Sequence, residues 1–170
     1  MNPPEGLPDG YPMYRWSQWY LPRKGFDQYE IASFAKPGHH CRHNLSYWTN
    51  APVLAIGAGA WGYLGNIRYR NGGTIKEYGE AVEKYGCGAV ATESLEPEKA
   101  FREAAVLLLR TKWGISFRDY SAQYGEEALR SVILTLRNEA PQDCIDFRGD
   151  SLALTRKGMR VANSIWSLII

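Results

Sequence analysis

The sequence predicts an α+β protein of α/β-derived character, and three observations point there. Short β-type runs are interleaved with helical stretches over the first half of the chain. From Thr92 onward apolar residues recur at helical spacing in successive segments, broken by a single hairpin signal. The composition shifts between these halves, so the expected division is 1–91 and 92–170. At 170 residues the chain fits one domain or two small ones sharing a core, and 45% hydrophobic with 22% charged residues describes a globular protein rather than a disordered one.

The elements follow in order. Met1 to Gly10 is rich in proline and glycine and reads as an irregular or frayed lead-in. Tyr11 to Tyr20 reads as a short amphipathic helix on Met13, Trp16, Trp19 and Tyr20, with Pro22 as its stop. After the turn Gly25-Phe26-Asp27, the alternation from Tyr29 to Ala35 reads as one strand, closed by Lys36-Pro37-Gly38. Thr49 to Pro52 is a turn, and Val53 to Ile56 a short buried strand that runs into Gly57-Ala58-Gly59-Ala60-Trp61-Gly62. Ile67 to Arg70 is a further strand, Asn71-Gly72-Gly73 a turn, and Ile75 to Tyr85 a helix.

In the second half Pro97 starts a helix reaching about Lys112, and Gly114 breaks it. A short helix ends near Tyr124-Gly125, and Glu126 to about Ala140 forms the next on Leu129, Val132, Ile133 and Leu136. Cys144 to Phe147 and Ser151 to Leu154 read as a hairpin around Arg148-Gly149-Asp150, after which Thr155 caps the last helix. Helix, helix, helix, hairpin, helix is the order of a winged-helix-like domain.

Composition excludes several functions. A net charge of +2 is too small to announce nucleic acid or an acidic membrane, and no apolar run has the length of a membrane span. The start lacks the basic-then-apolar pattern of a secretory signal. Cys41, Cys87 and Cys144 are odd in number and far apart, unlike a disulfide framework or a metal-binding pair. The expected location is the cytoplasm. A winged-helix DNA-binding module is the rival from another class, but its groove-facing helix would set Arg130 and Arg137 against Glu126, Glu127 and Glu139. Phosphate recognition needs a basic face.

Chemistry concentrates between Tyr29 and Trp48, which holds all 3 histidines (His39, His40 and His43) together with Cys41. Imidazole and thiolate ligate zinc, copper or haem iron. Structural zinc wants two separated ligand pairs, and the sequence offers no second pair. His43-Asn44-Leu45-Ser46-Tyr47-Trp48 sets an imidazole before two wide rings, which suits an iron ligand and cover for a planar macrocycle, or an anchored polar loop. The small residues around Gly57 and Gly59 permit close backbone packing, or a phosphate or adenine contact; they do not form a dinucleotide fingerprint.

The run Y-E-I-A-S-F-A-K-P-G-H-H-C-R-H-N-L-S-Y-W, followed by A-I-G-A-G-A-W-G-Y-L, resembles the radical-SAM proteins related to oxygen-independent coproporphyrinogen III oxidase, most of all their haem-chaperone branch. Late in the chain Leu154-Thr155-Arg156-Lys157-Gly158 and Asn163-Ser164 resemble the family's L-T-x-x-G and N-S ending. The likeness runs from about Met13 to the end. It implies the last strands of a partial (β/α) barrel over 1–91, followed by the winged-helix-like domain. It implies haem or porphyrin as ligand, bound by His43, Asn44, Tyr47, Trp48 and Cys41, with His43 on the metal and Gly57 and Gly59 as cofactor contacts.

Two departures stand out. The family's C-x-x-x-C-x-x-C, whose thiolates hold the [4Fe–4S] cluster that cleaves S-adenosylmethionine, is absent from this sequence, and Trp61 stands where histidine is frequent. The chain is therefore expected to correspond to the C-terminal part of such a protein, not catalytic alone. The main alternative is a subunit or fragment that completes the oxidase in porphyrin biosynthesis, with an N-terminal radical-SAM chain as partner.

Overall fold

A computed structural model describes residues 10–170, and the expected lead-in falls almost wholly outside them. The first helix, α1 (Gly10–Arg23), runs through Pro22 instead of stopping before it. A proline this close to the end removes only one late hydrogen bond. The Arg23 guanidinium stacks on Trp19 (4.2 Å) and donates to the Trp19 carbonyl, serving the helix end from its side chain. The expected apolar face is turned outward, with Met13, Trp16 and Trp19 all more than half exposed. The inward face is polar: Gln18 is buried and donates to Gln28 (3.0 Å) and to the Arg156 carbonyl (3.3 Å).

The single strand expected over 29–35 is a hairpin of β1 (Asp27–Glu30) and β2 (Ser33–Ala35). No glycine or asparagine marks its turn. The buried Glu30 carboxylate makes it instead, accepting from the Ala32 N–H (3.0 Å) and the Ser33 hydroxyl. Gly38 then bends the chain at φ 79°, and the segment expected as a polar loop becomes a short helix, α2 (Arg42–Trp48).

Val53 to Ile56 is not a buried strand. Only Val53 makes a bridge, to Tyr63, while Leu54 and Ile56 are 71% and 84% exposed. The apolar run lacks a second ladder partner on either side. The next sheet is an antiparallel meander of β3 (Trp61–Leu64), β4 (Ile67–Asn71) and β5 (Ala89–Ser94), with α3 (Ile75–Tyr85) between the last two. The helix α3 starts on a capping box in which Thr74 and Glu77 satisfy each other's backbone N–H.

The second half keeps the expected order. Here α4 (Pro97–Leu108), α5 (Phe117–Tyr124) and α6 (Glu126–Glu139) pack with a small sheet of order β6-β8-β7. Its strands are β6 (Ile115–Ser116), β7 (Ile145–Phe147) and β8 (Ser151–Leu154). The last helix is split at Val161 into α7 (Arg156–Arg160) and α8 (Ala162–Trp166), with the Thr155 hydroxyl capping the first on the Gly158 N–H (3.0 Å). The main core lies here, on Leu109, Ile115, Val132, Leu136, Leu152 and Ile165. The first hairpin is stitched to it by backbone bonds, Ile31 N–H to the Arg110 carbonyl and Lys112 N–H to the Tyr29 carbonyl, both 3.0 Å.

The class is thus mixed α and β, with small antiparallel sheets. No described helix is long and apolar enough to cross a membrane.

Candidate functional site

The site is best built from α2 outward. Proline and glycine at 37–38 end the hairpin, and Cys41 serves as N-cap, its carbonyl accepting from the Leu45 N–H (3.0 Å). Polar side chains steady the short helix: the Ser46 hydroxyl donates to the His43 carbonyl (2.7 Å) and the Thr49 hydroxyl to the Leu45 carbonyl (2.9 Å).

Helical periodicity then sorts the candidates. His43 and Tyr47, four apart, share the outward face and meet edge to face with ring centroids 5.0 Å apart. Both are exposed. Among the described residues the His43 imidazole has no hydrogen-bond partner, so both ring nitrogens stay available. A haem iron takes a neutral imidazole, and an adjoining aromatic edge suits a flat macrocycle; this pair fits the group.

Trp48 is turned the other way. It lies 4.2 Å from the Arg110 guanidinium, which Trp166 approaches at 5.1 Å, and its Nε1 is buried without a partner. Arg110 in turn faces Glu30, 3.7 Å from its unbonded oxygen. Trp48 thus pins α2 to the second half, and Asn44, half-buried, lies on that side of the helix. Cys41 is exposed at the helix start and carries a free thiol.

His40 is held between Tyr29 (4.9 Å) and Trp113 (5.4 Å) with Nε2 buried and unpartnered, while His39 is exposed in the preceding turn. Neighbours in sequence therefore diverge in space. Among the described residues no three His, Cys, Asp or Glu side chains gather as a metal site.

Tyr47 and Trp48 also wall a groove of about 190 Å³ against Trp61, Tyr63, Arg68 and Leu107. This joins the H-N-x-x-Y-W run to the W-G that follows the glycine-rich stretch. Gly57 and Gly59 do not line it. Their φ values of 92° and 72° place them in a left-handed loop that the chain itself occupies. The Gly57 carbonyl accepts from the Asn71 amide (2.9 Å), and the Gly59 N–H donates to the Gly72 carbonyl (2.6 Å).

The residues missed from sequence are Glu30, Arg110 and Asn71. A glutamate inside an apolar alternation and an arginine directly after Leu107-Leu108-Leu109 were the available signals, since charge at buried positions needs a partner. Two titrations follow from burial. The Cys144 thiol, buried beside Asp143, is pushed above its ordinary range first by desolvation, and Tyr120 is raised for the same reason.

The HemN C-terminal domain family matches residues 95–161. The haem chaperone HemW of Bacillus subtilis is 31% identical over 146 residues, which is 86% of this chain and 38% of that protein. HemW of Synechocystis is 30% identical over 151 residues, 87% of this chain and 35% of its own length. The chain therefore spans under two fifths of these curated relatives. Among solved structures, coproporphyrinogen III oxidase (HemN) from Escherichia coli, described as a radical SAM enzyme, superposes with a TM-score of 0.68 over 91% of this chain and 39% of that one. At 15% identity this likeness is one of fold.

Proposed function

We propose, from the match of this chain to the C-terminal region of HemN/HemW proteins, that it is a member of that family and that α2 is a haem- or porphyrin-docking element of a haem-chaperone-like protein. The observation that carries the reading is the split of labour on α2. Trp48 anchors the helix on Arg110, while His43 and Tyr47 stay on the outward face with the imidazole free.

When bound, haem would supply an iron centre for His43. Tyr47 would give the macrocycle an aromatic edge, and Asn44 and Trp48 would set the helix rather than touch the ring. Cys41, one position before the helix, is the rival ligand. Gly57 and Gly59 act by holding the loop ahead of Trp61, with no direct cofactor contact in this reading. The segment from 92 onward is read as winged-helix-like, with α4 to α6 against the sheet β6-β8-β7, and the location as cytoplasmic.

S-adenosylmethionine and a [4Fe–4S] cluster enter only through the rest of a full-length family protein. Cys41, Cys87 and Cys144 lie on separate elements, two exposed and one buried. The structural likeness to HemN supports a second reading, in which this region completes an oxidase with an N-terminal radical-SAM chain and α2 faces its tetrapyrrole.

The test is a haem titration of the chain, followed at the Soret band. A shift is expected, weakened at least about tenfold in affinity by His43→Ala, as loss of an axial bond requires, and little changed by His39→Ala. Cys41→Ser belongs in the same series: loss of the shift in that variant alone would transfer the ligand role to the thiolate.

A further inference from the structure

A second cleft, of about 650 Å³, opens on the side of the molecule where α1, the first hairpin and the α7–α8 break converge. Its volume is that of a small-molecule site. Arg110, Arg160, Trp166 and the Asn163-Ser164 pair line it, together with apolar Ile31 and Met159. The haem reading uses none of these as a ligand contact.

The polar groups here carry unused donors. Arg110 is flanked by two indoles, at 4.2 and 5.1 Å, yet among the described residues its guanidinium makes no hydrogen bond and its buried Nε has no partner. The Trp166 Nε1 is buried and unpartnered as well. Arg160 uses only Nε, donating to Gln18 Oε1 (2.6 Å), and among the described residues no carboxylate pairs with it. Glu30, 98% buried by its 2% exposure, faces Arg110 at 3.7 Å and offsets one of the two positive charges. The cleft therefore keeps an excess cation and a set of rigid N–H forks, which match a planar oxyanion.

We propose that this cleft binds a small organic acid, its carboxylate on Arg110 and Arg160 and its apolar body against Ile31 and Met159. The Asn163-Ser164 pair then supplies further polar contacts at the α8 start. The cleft and the haem reading share one residue, Arg110, which in the latter only anchors Trp48.

Calorimetric titration of the 170-residue chain with benzoate, and separately with inorganic phosphate, tests this. Benzoate is expected to saturate one site and to bind more tightly than phosphate, because phosphate has no apolar body to bury. Arg160→Gln should weaken benzoate roughly tenfold or more, the usual weight of a charge-assisted hydrogen bond. Arg110→Lys, which keeps the charge beside Glu30 and so the fold, should weaken it comparably by removing the fork. His43→Ala should leave it unchanged. Binding of phosphate alone, binding of neither probe, or benzoate affinity indifferent to both arginine variants overturns the proposal.

Discussion

Gly158→Ala is expected to unfold the second half of the molecule at temperatures where the parent chain is intact. A Cβ at this position would sit 2.1 Å from the Cys144 carbonyl oxygen and 3.0 Å from its carbonyl carbon. Those are backbone atoms and cannot rotate away. The same carbonyl accepts the Thr155 N–H (2.9 Å), so α7 cannot shift without breaking its own tether. Overpacking a core costs about 1 to 3 kcal/mol and more where backbone must move. A loss of about 3 kcal/mol lowers Tm by roughly 6 to 12 °C in a chain of this size. Gly79→Ala is the control, because nothing lies within 4 Å of its Cβ and alanine is the better helix former by about 1 kcal/mol. Thermal unfolding by circular dichroism should separate the two in opposite directions. This also gives physical content to L-T-x-x-G: the threonine caps α7 and the glycine admits the Cys144 backbone just ahead of β7.

Arg110→Met should be at least as damaging. It leaves Glu30, 2% exposed, as a buried charge with one oxygen unbonded and no cation beside it. Removing one partner of a buried pair costs about 3 to 5 kcal/mol. The indoles of Trp48 and Trp166 also lose the group between them, so α2 loosens from α8. The double variant Glu30→Gln with Arg110→Met should recover much of the loss, since the orphaned charge is gone. Equal stability of the single and double variants in urea unfolding would show that the ion pair contributes little and that the stacking carries the effect.

How much of this was legible in the sequence differs between the halves. The C-terminal helices carried strong signals of several kinds at once: Pro97 at a helix start, the Leu129-Val132-Leu136 stripe, Gly149 in a tight turn and Thr155 as a cap. Where these local signals agreed with the packing the elements were found; the two-residue strand β6 and the break of the last helix at Val161 carried no such signal. In the first half the signals conflicted with the outcome. The hairpin turn at Ile31-Ala32 is made by the Glu30 side chain, which no turn-residue rule reports. The apolar run at Val53–Ile56 looked like a strand but has only one bridging residue. The aromatic stripe of α1 looked like an inward face, whereas Gln18, Gln28 and Arg160 form a polar network that turns the other side in. At the site, the residues were legible but the pairing of His43 with Tyr47 was not, because the stretch reads as a polar loop and i and i+4 meet only once it is a helix. Nor was it legible that Trp48 leaves them to meet Arg110, because the partner lies 62 residues further on in sequence.

The central claim is that His43 on the free face of α2 is the haem ligand. Its most direct test is the ferric haem spectrum of His43→Ala before and after addition of free imidazole. The account predicts that the parent chain shows an imidazole-ligated Soret band, that His43→Ala loses it, and that free imidazole restores it in the variant, because the rest of the docking face is intact. A parent-like band in His43→Ala without added imidazole would contradict the account.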